Sequence, residues 1–214
     1  MKKLFLFIAF LIPLVAISQM VVLAQKDSKA TALLDQVSKK TKSFKTLKVE
    51  FSYNMENKQA KIKESKKGTL LLQGDKYKLD IAGQIVICDG KTVWTYIKDA
   101  NEVHINEVGT DEDAFTPSRL LSSYNQNYKS KMVKAKNEGE ASVELIPLKG
   151  KNYTKVILTV DKEQLQVKRF IIYDKVGNVF SYVITKFSPN PSLNVNEFTF
   201  NKADYPDAEI IDMR

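Results

Sequence analysis

The sequence predicts an α+β fold: one domain of about ten antiparallel strands and two or so helices, with the sheet curled into a half-barrel. Three observations carry this expectation. Period-two alternation of apolar residues recurs along most of the chain. Turn signals such as Gly74-Asp75, Asp89-Gly90 and Gly177-Asn178 fall every ten residues or so, which argues for hairpins rather than βαβ units. The chain has 214 residues, 43% hydrophobic and 27% charged, with no long linker, low-complexity tract or repeat period, and this suits one domain or at most two.

The chain opens with Lys2 and Lys3 ahead of an apolar run from Leu4 to Ile17, of signal-peptide length and too short for a comfortable membrane span. Cleavage is expected after Ser18, with Ala24 as the alternative, so residues 1–18 read as a signal peptide and 26–214 as the folded domain. An uncleaved N-terminal anchor is the competing reading. The single cysteine, Cys88, sits in an apolar run and reads as buried filler. It permits no internal disulfide and offers no lipidation site behind the signal, so a soluble, unlipidated, exported protein is expected. The formal net charge is +8; without Lys2 and Lys3 the balance is 31 Lys and Arg against 25 Asp and Glu, or +6. Outside the cell such a surface meets anionic membranes or acidic proteins, or simply keeps the chain soluble.

A helix of about 16 residues is expected from a cap at Asp27 or Ser28, with Ala30, Leu33, Leu34, Val37, Thr41 and Phe44 on one face. From Leu47 the period becomes two, Leu47, Val49, Phe51, Tyr53 and Met55 alternating with polar residues as in a half-buried strand. The lysine-rich stretch 57–67 reads as a hairpin loop. The meander from Gly68 to Ile105 follows, in which Tyr77, Leu79 and Ile81 share a face. Trp94 and Tyr96 lie on one face of the next strand but one, with Val93, Thr95 and Ile97 on the other, so that strand must be covered on both sides. Thr116-Pro117 opens a short helix, with Phe115 placed to pack on Leu120. Strands are expected at 131–136, 141–147, 153–160, 167–173, 179–187 and 198–200, and the tail through Ile210-Ile211-Asp212 is expected to be irregular.

Little here points to catalysis or metal binding. There is one histidine, His104, on an alternating strand, no G-x-S-x-G elbow and no phosphate-binding glycine loop. Asp89-Gly90 is turn chemistry. No enzyme activity, metal site or cofactor is expected, and nucleic acid is an unsuitable partner for an exported chain. What remains is apolar capacity on both faces of several strands, either a well-filled core or a cavity for an apolar ligand.

An ordered set of motifs resembles the LolA-type periplasmic lipoprotein carrier family. It comprises Gly68-x-Leu70-x-Leu72, Lys76-Tyr77-Lys78, Ile85-Val86, then Asp89-Gly90-Lys91-Thr92-Val93-Trp94-x-Tyr96, Thr116-Pro117-Ser118-x-Leu120-Leu121, and the ending Glu197-Phe198-Thr199-Phe200 with Pro206 and Ile210-Ile211-Asp212. The resemblance implies an incomplete, strongly curved antiparallel β-barrel of about 10–11 strands, its opening covered by helices. It implies a soluble periplasmic monomer that shields lipoprotein acyl chains between the inner and outer membranes.

The resemblance further implies partners: acylated lipoproteins, an inner-membrane ATP-driven transporter that releases them, and an outer-membrane acceptor. The implied acyl-chain site comprises Leu33, Val37, Phe51, Tyr53, Leu70, Leu72, Tyr77, Leu79, Ile81, Trp94, Tyr96, Leu120 and Leu121, with Tyr77 at its mouth. Where the family often has a lid-latching arginine this chain has Gln73, with Lys76 or Lys78 as substitutes. A lipid- or lipoprotein-sensing regulatory module on the same fold is the alternative.

Overall fold

The computed structural model describes residues 27–109 and 123–214; the expected signal segment and the expected helix start at Thr116-Pro117 lie outside them. Helix α1 spans Ser28–Lys42. Asp27 caps it, its carboxylate accepting from Lys29 N and Ala30 N at 3.0 and 3.2 Å. Lys39, Lys40 and Lys42 occupy the last turn, where positive charge offsets the helix dipole. A second helical stretch covers residues 123–127.

The strands are β1 (Leu47–Asn57), β2 (Ile62–Gln73), β3 (Lys76–Ile81), β4 (Gln84–Cys88), β5 (Thr92–Ile97), β6 (Glu102–Glu107), β7 (Tyr128–Val133), β8 (Glu140–Pro147), β9 (Tyr153–Asp161), β10 (Gln166–Asp174), β11 (Val179–Pro189) and β12 (Glu209–Asp212). They form one sheet in the order β12-β6-β5-β4-β3-β2-β1-β11-β10-β9-β8-β7, open at β12 and β7 and not closed into a barrel. Two meanders are joined where β1 pairs with β11. A bulge at Glu50/Phe51 interrupts that pairing, and Thr185 Oγ1 donates to Glu50 O at 3.0 Å beside it. Such a bulge adds local twist at the seam.

Among the described residues the strand count is twelve, not ten or eleven, and the tail explains part of the difference. Ile210-Ile211-Asp212 is not irregular but lies in β12, parallel to β6. Phe198-Thr199-Phe200 is not a strand: Asn194 caps a 3₁₀ turn over Val195–Phe198, and a second 3₁₀ turn, capped by Asn201, follows over Lys202–Asp204. The lysine-rich stretch is not a loop either. β1 and β2 pair from Leu47↔Leu72 to Asn57↔Ile62, leaving a turn at 58–61. Ladder hydrogen bonds are made by the backbone, so polar side chains do not prevent pairing.

The registers divide the sheet into two faces. Helix α1 packs on one, here the helix face, where Ala30, Leu34 and Val37 meet Val143, Leu145, Val156, Leu158 and Val160, all 0% exposed. Asp27 also reaches the sheet, its Oδ2 accepting from Met132 N on edge strand β7 at 2.8 Å. Tyr124 of the second helical stretch donates to the Asp35 carboxylate on α1. The helix is thus tied to the sheet at its start and to the second helical stretch at Asp35.

Candidate functional site

The helix face continues beyond α1 onto β11, β1, β2 and β3. Alternation and register place four rows there: Leu47, Val49, Phe51 and Tyr53 on β1; Leu70 and Leu72 on β2; Tyr77, Leu79 and Ile81 on β3; Tyr182, Ile184 and Phe187 on β11. These residues pack as a second apolar cluster to which α1 contributes none. Phe51 and Leu70 form its floor at 5% and 8% exposure, while Tyr53, Leu72, Tyr77, Leu79, Ile81, Tyr182 and Ile184 stay half-buried.

Gly68 permits this floor. It pairs with Phe51 on one side and Ile81 on the other. A Cβ on Gly68 would lie 2.4 Å from Phe51 Cζ and 2.9 Å from Asp80 O, so only glycine lets the Phe51 ring lie across β2. Tyr182 meets Phe51 and Tyr53 with centroids 5.9 and 5.3 Å apart, in tilted arrangements favoured by aromatic quadrupoles. Burial pushes the Tyr182 phenol up to about 12 and raises that of Tyr53, so both are neutral at physiological pH. Among the described residues, charge enters this face of β1–β3 only at Glu64 and Lys66, toward the hairpin turn. The surface can therefore hold apolar chains by dispersion and water exclusion, without an ionic anchor.

The structure brings together Phe51, Tyr53, Leu70, Leu72, Tyr77, Leu79 and Ile81 from the expected site and separates the others. Val37 is sealed against the strand core at 0% exposure, and Leu33 packs partly buried on that same core. Trp94 and Tyr96 lie on the opposite, outer face. The register Leu79↔Val86↔Thr95 puts Thr95 on the helix face and turns its neighbours away. Trp94 stacks on Phe200 at 5.9 Å and Tyr96 meets Tyr205 at 4.6 Å, both under the C-terminal segment. Both faces of β5 are apolar, as expected, but its aromatic face belongs to this strap. Leu120 and Leu121 lie outside the described residues.

The expected latch is also misplaced. Leu72 and Tyr77 face α1's side of the sheet, so strand alternation turns Gln73, Lys76 and Lys78 outward. Gln73 is exposed, and Lys78 Nζ lies 2.8 Å from Glu197 Oε2, holding the C-terminal segment against β3. Residues missed in the sequence are Leu47, Val49, Tyr182, Ile184 and Phe187. The alternation of Tyr182 and Ile184 was visible, but their pairing with β1 is not local, and the bulge brings Phe187 onto the same face at an odd spacing.

The other residues considered for chemistry have structural partners. Asp89 Oδ1 accepts from Lys91 N and Thr92 N, both at 2.8 Å, closing the turn in which Gly90 takes φ +98°. Backbone donors, Thr92 N foremost, hold its carboxyl below the ordinary range. Cys88 is 1% exposed, and burial raises its thiol. His104 Nε2 lies 2.8 Å from Glu102 Oε2. Among the described residues, no group of three His, Cys, Asp or Glu is placed to hold a metal.

An open, largely antiparallel sheet with one helix-filled half and one open apolar half defines a half-barrel protein. The chain belongs to the LolA family: the model described as "Outer membrane lipoprotein carrier protein LolA" matches residues 42–201. It is 26% identical over 174 residues to an outer-membrane lipoprotein carrier protein of Dechloromonas aromatica (strain RCB), covering 78% of this chain and 82% of that one. It is 25% identical over 166 residues to the protein of the same description from Xylella fastidiosa (strain 9a5c), covering 75% and 79%. The fold is similar to the crystal structure of an uncharacterized conserved protein from Thermus thermophilus, with a TM-score of 0.57 at 12% identity over 86% of this chain and 99% of that one. No helix among the described residues is long and apolar enough to cross a membrane.

Proposed function

We propose that this chain is a soluble periplasmic carrier that shields lipoprotein acyl chains and moves them from the inner to the outer membrane. The observation that carries this reading is the half-buried apolar surface of β1–β3 and β11 beside a fully packed core. Family membership and the carrier descriptions of the two curated relatives support it. Each methylene exposed to water costs about 0.8 kcal/mol, so three acyl chains of roughly fifteen carbons amount to on the order of 30 kcal/mol. Unassisted transit through water is therefore negligible, and a container without ionic anchors can still release its load.

On this reading residues 1–18 direct export and 26–214 form a non-enzymatic, unlipidated, monomeric carrier. An inner-membrane ATP-driven transporter loads it and an outer-membrane acceptor unloads it. Depletion of the protein in its host tests this directly. Lipoproteins are expected to accumulate at the inner membrane; normal delivery, in a strain lacking any second copy, overturns the proposal. Purified chain is also expected to retain a triacylated lipopeptide and not its unacylated form. Retention without onward transfer to outer-membrane vesicles favours the sensing module instead.

A further inference from the structure

Three turns stand side by side at one end of the sheet: 58–61 after β1, 175–178 after β10 and 148–152 after β8. Direct hydrogen bonds join them. Asn57 Nδ2 donates to Asn178 Oδ1 at 2.8 Å, and Lys175 N donates to Asn152 O at 3.2 Å. Apolar side chains protrude here into water, Val176 at 73% exposure, Leu148 at 58% and Ile62 at 40%. Six lysines surround them: Lys58, Lys61, Lys63, Lys149, Lys151 and Lys175.

The carboxylates on these stretches are Glu56, Glu64 and Asp174. Asp174 is turned into its own turn, accepting from Val176 N, Asn178 N and Asn178 Nδ2 at 3.0, 2.7 and 2.6 Å. Among the described residues, none of Lys58, Lys61, Lys63, Lys149 and Lys175 forms a salt bridge. The hairpin turns at the opposite end, 74–75, 89–91, 134–139 and 161–165, carry five carboxylates against four lysines, and the connection 43–46 at that end adds Lys45. Among the hairpin turns the excess of positive charge therefore falls at one end.

We propose that this end docks on an anionic phospholipid surface, with the lysines against the headgroups and Val176, Leu148 and Ile62 inserted between them. Isolated apolar tips separated by lysines offer no contiguous patch for a rigid protein surface. A fluid headgroup layer accommodates each tip separately, while anionic lipids attract the lysines. The proposal does not rest on the carrier reading, since lipid alone tests it.

The experiment is cosedimentation of the processed chain with phosphatidylcholine vesicles, with and without phosphatidylglycerol, at low and high salt. Binding is expected only with phosphatidylglycerol, and to weaken with salt. Each lysine at such a surface contributes about fivefold to partitioning, so Lys58→Gln/Lys61→Gln/Lys175→Gln together should lower it about 100-fold. Val176→Ser/Leu148→Ser should lower it about tenfold. The control Lys91→Gln/Lys134→Gln/Lys136→Gln makes the same charge change at the opposite end and should retain binding. All these positions except Leu148 and Val176 carry charge and lie on turns or strand ends, and circular dichroism verifies that each variant folds. Absence of vesicle binding, equal loss in the control, or retention of a soluble acidic protein in place of vesicles overturns the proposal. A chain that binds vesicles normally but fails to retain lipopeptide would overturn the carrier reading alone.

Discussion

The two halves of the helix face both carry apolar rows and differ in what covers them. On β7–β10 the aliphatic rows around Val143, Leu145, Val156 and Leu158 are closed by α1 to 0% exposure. On β1–β3 the rows around Tyr53, Leu72, Tyr77, Leu79 and Ile81 remain half-buried. Length accounts for the difference. A 15-residue helix spans about 22 Å, whereas twelve strands at about 4.8 Å spacing span more than twice that. One helix crossing the sheet covers roughly five strands and does not reach the others. Apolar sequence sets the capacity for burial, and the reach of the covering element decides where that capacity remains unused.

The largest expected effect lies in the covered half. Leu34→Ala should destabilise the protein by about 3 kcal/mol, through lost transfer energy and a residual cavity, as measured by urea unfolding. Gly68→Ala should cost about 2 kcal/mol by overpacking against Phe51, and less in a Phe51→Ala background, leaving the close approach to Asp80 O. A similar cost in both backgrounds would show that Phe51 is not the obstacle.

On the outer face, Trp94→Ala should also cost about 2 kcal/mol while leaving lipopeptide affinity unchanged, since its partner is Phe200. Loss of affinity there would place the aromatic strand back in the site. Leu79→Ser in the open half should do the reverse, lowering lipopeptide affinity about tenfold at a stability cost below about 1.5 kcal/mol.

The smallest effect concerns the tie between helix and sheet. Backbone donors, Met132 N first and then Ala30 N, lower the carboxyl of Asp27 from its ordinary value of 3.8. A depressed folded pKa stabilises the fold above the unfolded value and loses that contribution as pH falls through the folded one. The stability of wild type relative to Asp27→Ala should therefore be constant near neutrality and shrink below about pH 4, measured by chemical unfolding across that range.

Much of this was legible in the residues because it depends on local chemistry. The Asp27 cap, the apolar stripe of Ala30, Leu34 and Val37, the Asp89-Gly90 turn and the alternation of Phe51 with Tyr53 are consequences of spacing. The ordered motifs likewise point to the family. The sheet face to which Trp94 belongs was not legible, because both faces of β5 are apolar and only the register carried through β3 and β4 distinguishes them. The pairing of β1 with β11 was hidden by its separation in sequence, and the bulge that brings Phe187 onto the site face breaks the period used to read a strand.

The sequence by itself determined most of the element types, the antiparallel turns and the sum of apolar surface, since dihedral preference and periodicity act over a few residues. Only the tertiary structure decided which apolar rows are sealed by α1, which lie under the C-terminal strap and which remain open. Those outcomes depend on register, on a non-local strand pairing and on the length of one helix relative to the width of the sheet.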